Sequence, residues 1–570
     1  MSHKKKSFIK TFFVALVLCA FYSNNIYCQY SNDPKNALTV NNVSNDIYNV
    51  ENVKIATSGN SGKTYIAWLE DTYHPLLGLD YSIYLQLLDV DGNFLWATPM
   101  NVSGGLYETD IQLQITSNDE AIVSVIPLNI DHTGAKSVYS FKIGTDKNFL
   151  WNGNNGIVIF QTLTNFSPEA SFLINENDEL IFAIPTVDGK IHINILKPDG
   201  TLKNEENTVV NFSTNPLLAL GTNGFYLLYV TNERYFVNAY SNNLVQAWEY
   251  KYVGNETAMG AGLNTSSTVV KPDGDGGIFI LWEKNQLYLQ RMNKLGERLL
   301  TDNGFQISTN AKSVASSLFS VDAEAETVSI SWYSNNTTTF LTLAQKVTFE
   351  GEKLWGEDGI TLAQSQNVSN LNYPVAIAST ENNHTLIVFS RFNLSSSLDE
   401  LVFVNLKNDG SHTLGGSGFA TVNSEKANRS FFASTDFSNN QLVIAWASTV
   451  EGVASDNLPI AVKAQNVTFY GDIGAGASDI SDKFSITNNS LKIFPHPVVS
   501  NFTVNYFSDF VEKGALRIFD ISGRLQYFDS EIILQQGENN FSIDCNLPKG
   551  TYYIELQTSS GKTNQIFIVK

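Results

Sequence analysis

Between Lys271 and Ser308 the apolar positions fall into short runs separated by polar punctuation. KPDGDGG leads into the apolar run IFILWEK, QLYLQRM follows almost at once, NKLGE interrupts, and a polar exit closes on GFQIS. This order predicts turn, strand, loop, strand, turn, strand, because Gly, Asn and Asp supply the positive φ that tight turns demand. Within the strands the polarity alternates with period two. In TYIAWLED, Tyr65, Ala67 and Leu69 point one way and Ile66 and Trp68 the other. Both faces are apolar, as a sheet stacked between two other sheets requires.

Weaker copies of this unit fill most of the chain. A first turn precedes the apolar strands of GNSGKTYIAW, SNDEAIVSV, NENDELIFAI, TNGFYLLYV, ENNHTLIVF and SNNQLVIAW, and a copy near Glu324 keeps the strand with a weaker turn. A second turn follows the next strand at Gly92, Lys147, Gly200, Asn242 and Asn243, Gly296, Gly351, Gly410 and Gly471, marks spaced about 54 residues apart. All 8 Trp fall on two repeat positions: Trp68, Trp282, Trp332 and Trp446 close the first apolar strand, while Trp96, Trp151, Trp248 and Trp355 follow the second turn. Gln86, Gln290, Gln345 and Gln465 recur as well. A catalytic centre is needed once and a scaffold position in every copy, so these Trp and Gln residues are assigned to packing.

The pattern predicts an all-β chain: a β-propeller of about eight four-stranded blades, with seven left possible by the short fourth copy, followed by a small Ig-like β-sandwich. The last copy stops after its third strand. Leu38 to Ser44, resembling a fourth strand, is expected to complete it and close the ring. The expected domains are a signal peptide at 1–28, the propeller at 29–471, a linker at 472–490 and a terminal domain at 491–570.

Composition adds a destination. Lys4, Lys5, Lys6 and Lys10 precede an apolar run from Phe12 to Phe21, a secretory signal too short to be an ordinary membrane span. Cleavage before Gln29 leaves Cys545 as the single cysteine, so no internal disulfide forms, and Cys545 is expected to be buried beside Ile543. With a formal net charge of -20, an exported chain is a poor partner for nucleic acid or an anionic membrane, and no transmembrane anchor is expected.

The tail from Leu491 reads as about seven short strands between Pro, Gly, Asn and Asp turns. It carries Ile493, Phe494, Pro495, Pro497 and Val498, then Asp520, Gly523 and Arg524, then Leu547, Gly550, Tyr552 and Ile554, and ends on Lys570. These residues resemble the C-terminal sorting domain, type A, of the bacterial type IX secretion system. His496 departs from the Asn usual between the two prolines. The resemblance implies passage across both membranes of a Gram-negative bacterium, delivery to the outer surface or the medium, and the type IX machinery as a partner. Pro495, Pro497, Gly523, Gly550 and Lys570 are the sorting-motif residues it assigns. The repeats also resemble those of large secreted proteins of the same bacteria, a likeness that brings no activity.

Chemistry is sparse. There is no HExxH signature, no GxSxG elbow and no phosphate-binding glycine loop. No metal or cofactor is expected, and Asp273 and Asp275 read as a turn rather than a calcium loop. The connection after the Trp-bearing strand is long in copies seven, eight, one and two and short in the others. The long connections should raise a wall on one face, making Tyr73, His74, Asp131, His132 and Arg391 candidate ligand contacts. The reading is an exported protein that binds a glycan or a protein partner. A secreted polysaccharide hydrolase or lyase with carboxylates at the channel is the alternative, and a structural surface component a further one.

Overall fold

The computed structural model describes residues 29–570 apart from 45–46, 75–77, 107–108, 128–135, 167–168, 212, 255–263, 310–313, 337–338, 366–372, 381–382, 394–397, 415–417, 426–428, 451–457, 476–490, 495–497, 499–500, 509–511, 522–523, 536, 545–546 and 559–561. The chain divides into two compact units, Met1–Ser478 and Asp479–Lys570.

The first unit holds eight four-stranded antiparallel sheets among the described residues. Blades one to seven occupy 47–106, 109–162, 171–211, 214–252, 264–306, 314–365 and 374–423, with strands in chain order. Blade eight supplies three strands from 429–468 and takes its fourth from the start of the chain: Leu38 pairs with Ala464 and Thr39 with Lys463. First strands of successive blades lie side by side all the way round, with Arg429–Ser434 of blade eight returning to Ile47–Thr57 of blade one. The ring is closed and has eight blades.

There is no single core. Eight apolar layers each lie between two successive blades. Tyr65, Ala67 and Leu69 pack towards blade two, while Ile66 and Trp68, one residue out of phase, pack towards blade eight. The two-faced alternation of the sequence therefore has a direct structural cause: every blade is covered on both sides.

The repeated residues join the layers. Indole Nε1 of Trp96, Trp151, Trp248 and Trp355 donates to the carbonyl of Thr145, Pro198, Lys294 and Asn408, each in the second turn of the next blade. The turn must approach the indole closely, and a Cβ on Gly200 or Gly410 would lie 3.2 or 3.0 Å from Trp151 or Trp355. Both glycines also have positive φ, 85° and 80°, so a side chain there is opposed twice. In blade four the left-handed turn residue is Leu244 (φ 59°), just after the Asn242 and Asn243 pair marked in the sequence. Gln86, Gln290 and Gln345 are buried and donate to the carbonyls of Trp96, Thr301 and Gly356 beside the fourth strand. Asp273 accepts from the N–H of Asp275 and Gly277 and pairs with Arg291 at 3.0 Å, which is a turn lock.

The closing segment is stitched in by polar contacts. Asn41 donates to the Ile460 carbonyl and to Glu70, and accepts from the Val462 N–H at 2.9 Å. Gln465 donates to the Ser31 carbonyl.

The second unit is a sandwich with seven strands among the described residues. Lys492–Phe494, Phe502–Ser508 and Gly537–Ile543 form one sheet, and Glu512–Asp520, Leu525–Leu534, Gly550–Thr558 and Lys562–Val569 form the other. One core that includes Val504, Leu516, Ile518, Ile554 and Phe567 lies between them. Cys545 lies outside the described residues, while Ile543 before it is buried.

Candidate functional site

Blade four is the aromatic blade, and its local sequence explains a groove on its flank. Its second and third strands, Gly224–Thr231 and Arg234–Ser241, meet through Asn232 and Glu233 at φ 49° and 59°, with Thr231 opposite Arg234. Two consecutive left-handed residues make the tightest hairpin turn. In RYFVNAYS, Phe236, Asn238 and Tyr240 alternate onto one face. In the fourth strand Gln246–Tyr252, Tyr250 and Tyr252 do the same.

These side chains and the outer strand of blade three, Thr208–Asn211, enclose about 450 Å³. Phe236 is the hub: its ring centroid lies 4.6 Å from Tyr252, 5.4 Å from Tyr250 and 5.7 Å from Tyr229. Tyr250 and Tyr252 remain 54% and 44% exposed, so their rings face solvent as well as one another. Polar groups sit deeper, where Tyr229 donates to Asn238 and Asn238 donates to Tyr240. Burial pushes the Tyr229 phenol up to about 12 and raises that of Tyr240 too, so both stay protonated at neutral pH. The lining is aromatic, aliphatic, hydroxyl and amide, without a charged side chain among the described residues.

Tyr73, His74 and Arg391, proposed from the sequence, are not among the residues that line this groove. Tyr73 and His74 end the strand Thr64–His74 and pair with Leu79 and Gly78, so they belong to an extended hairpin rather than a free loop. Asp131 and His132 lie outside the described residues. Arg391 sits on Thr385–Asn393, 3.4 Å from Glu400 and over the ring of Phe419, so its guanidinium is already engaged. Tyr73 and His74 share a hairpin of blade one, and Arg391 belongs to blade seven, two blades away. Loop length does not mark the groove, since its lining comes from strands and a two-residue turn. The available signal was the alternation of aromatics in RYFVNAYS and QAWEYKY, where the fourth copy is shortest.

In the tail, residues far apart in sequence are joined. The Val498 N–H donates to the Ile568 carbonyl at 2.8 Å, and the Lys570 N–H donates back to Val498 at 2.9 Å. Asp520 and Arg524 close a turn through the Arg524 N–H, and the Tyr552 hydroxyl donates to the Pro548 carbonyl. Gly550 pairs with Val569 beside that junction. Pro495, Pro497 and Gly523 lie outside the described residues.

Residues 492–570 match the family of the Secretion system C-terminal sorting domain. This type IX sorting domain marks the chain for export to the cell surface or beyond it and makes the secretion machinery its partner. No helix among the described residues is long and apolar enough to cross a membrane. No curated protein matches the chain. Among solved structures, a polysaccharide lyase of family PL25, an ulvan lyase, is 10% identical, with 78% of this chain and 98% of that chain covered at a TM-score of 0.38. The β-propeller domain of the Trilobed protease from Pyrococcus furiosus, described as having an open velcro topology, is 8% identical over 74% and 93% at 0.33. An endo-arabinase from Bacteroides thetaiotaomicron is 11% identical over 53% and 93% at 0.26.

Proposed function

We propose that the exported propeller is a glycan-binding protein whose ligand lies in the groove between blades three and four. The observation that carries this reading is the pair of exposed rings, Tyr250 and Tyr252, standing over buried amide and hydroxyl groups. A sugar presents apolar C–H faces and a rim of hydroxyls, so it needs aromatic surface and hydrogen-bonding groups together. Glycosidic hydrolysis needs a placed pair of carboxyl groups, which the groove does not offer among its described residues. Residues 1–28 act as the signal peptide and 472–490 as the linker in this reading, so the sorting domain delivers a binding body rather than a catalyst.

Calorimetric titration of the purified protein against soluble polysaccharides tests it. Binding of at least one polysaccharide, weakened about tenfold (about 1.4 kcal/mol) by Tyr250→Ala, is expected. Binding that Tyr250→Ala and Tyr252→Ala leave unchanged would refute this site. Deleting 491–570 should hold the body in the periplasm, read by fractionation.

A further inference from the structure

The aromatic planes of the groove carry information about ligand shape, and the inference here rests on the glycan reading above. Tyr250 and Tyr252 lie two residues apart on one strand, yet their rings are 86° apart in plane with centroids 6.2 Å apart. Phe236 holds them there, at 72° to Tyr250 and 45° to Tyr252. The three rings touch one another, so they form a stepped surface rather than a cage with room for a cation at its centre.

A sugar ring stacks with its face parallel to the aromatic ring beneath it. In a β-1,4-linked glucan each ring is flipped relative to the last, which keeps all faces nearly parallel and makes the chain a flat ribbon. Such a ribbon can lie on Tyr250 or on Tyr252, but not on both. A β-1,3- or α-1,4-linked chain turns from one residue to the next and can present two faces at a steep angle.

Charge narrows the class further. The groove is lined by Asn211, Asn238, Gln246 and hydroxyl groups, with no cation among its described lining residues to hold a sulfate or carboxylate, while the chain as a whole carries a net charge of -20 that repels polyanions.

We infer that the groove selects an uncharged glucan whose chain turns, over flat-ribbon and anionic chains, because two mutually steep tyrosine planes must be covered at once. Four hexasaccharides titrated calorimetrically into the full-length exported protein test this at low and at high salt: β-1,3-glucan, α-1,4-glucan, β-1,4-glucan and an oligogalacturonate. At least one turning chain should bind about tenfold tighter than the β-1,4 chain, with affinity nearly independent of salt. Tyr250→Ala should abolish that preference, because a single plane cannot distinguish the shapes, whereas Tyr250→Phe should keep it. Both tyrosines are surface residues, and an unchanged melting temperature shows that the variants fold.

Equal affinity for flat and turning chains, still sensitive to Tyr250→Ala, overturns the shape inference and leaves the glycan site standing. Tightest binding by the oligogalacturonate, weakened by salt, overturns the charge inference. No binding by any of the four overturns selection of a neutral glucan, and the wider polysaccharide titration then decides the site itself.

Discussion

Between their second and third strands blades eight and two carry long connections, blades one and seven lengthen the strands instead, and blades three, four and five turn early. The hairpin of blade one runs through two strands of 11 residues, while that of blade four turns after 8. Among the described residues, the open aromatic surface lies on the short side. On the long side, the described polar groups near the hairpin bases are committed to the fold: Arg391 to Glu400, and Glu70 to Trp68 and Asn41. On the short side, a two-residue turn joins the second and third strands of blade four, and the rings of Tyr250 and Tyr252 stay open to solvent. The long side of this ring is also where the chain closes on itself, so its polar groups answer a structural need first.

The largest effect should come from breaking that closure. Asn41 makes three hydrogen bonds that join the start of the chain to blades one and eight. Asn41→Ala leaves the Val462 N–H and a Glu70 oxygen buried and under-partnered, at a cost of about 2–4 kcal/mol by chemical denaturation. Affinity at the groove, measured on the folded fraction, should not change. If it falls in step with stability, the two sides are coupled and the contrast between them fails.

Next in size is the groove itself. Tyr252→Ala should weaken glycan binding about tenfold while moving the melting temperature by only a few degrees, because the ring is half exposed and contributes little to the blade core. An equal loss from Asn41→Ala and Tyr252→Ala would erase the distinction between structural and ligand-facing polar groups.

The sequence made the fold far more legible than the site. Eight turn marks, two Trp positions and the missing last strand all reflect constraints that recur in every blade, so repetition amplified them. The pairing of Leu38 and Thr39 with blade eight followed from counting strands. The groove is a single departure from the repeat. It exists only where Tyr250, Tyr252 and Phe236 from two strands meet the outer strand of blade three, and sequence spacing does not display a meeting between strands. The same limit hid the use of Arg391, whose partners Glu400 and Phe419 come from the neighbouring strand and a later connection.

Glu70 offers a smaller test of the long side. Burial raises its carboxyl above the usual range, against the opposing hydrogen bonds from Trp68 and Asn41. The sign follows from proton counting. Between the ordinary Glu value and the raised one, the folded chain holds a proton that the unfolded chain has lost, so this group makes stability fall as pH rises through that window. Glu70→Gln should flatten that part of the stability curve and leave groove affinity unchanged with pH. A slope that survives the substitution would move its origin to another group.

The smallest expected effect is the sharpest test of where the ligand sits. Replacing the tip between Tyr73 and Leu79 with a two-residue turn removes the end of the blade one hairpin, including His74, but keeps the pairs from Thr64 with Leu88 up to Thr72 with Asp80. The strand bases and the contacts of Trp68 and Glu70 remain, so the ring should stay closed. If the short side alone holds the glycan, affinity should change by less than about twofold, a difference near 0.4 kcal/mol. A tenfold loss would place the ligand against the long connections and return Tyr73 and His74 to the site. The cause would then be reach across the loop face, since no described groove residue belongs to blade one. Shortening the hairpin in the Tyr252→Ala background separates the cases: additive losses mean two independent contacts along one chain, and a loss no greater than that of Tyr252→Ala means a single site in the groove.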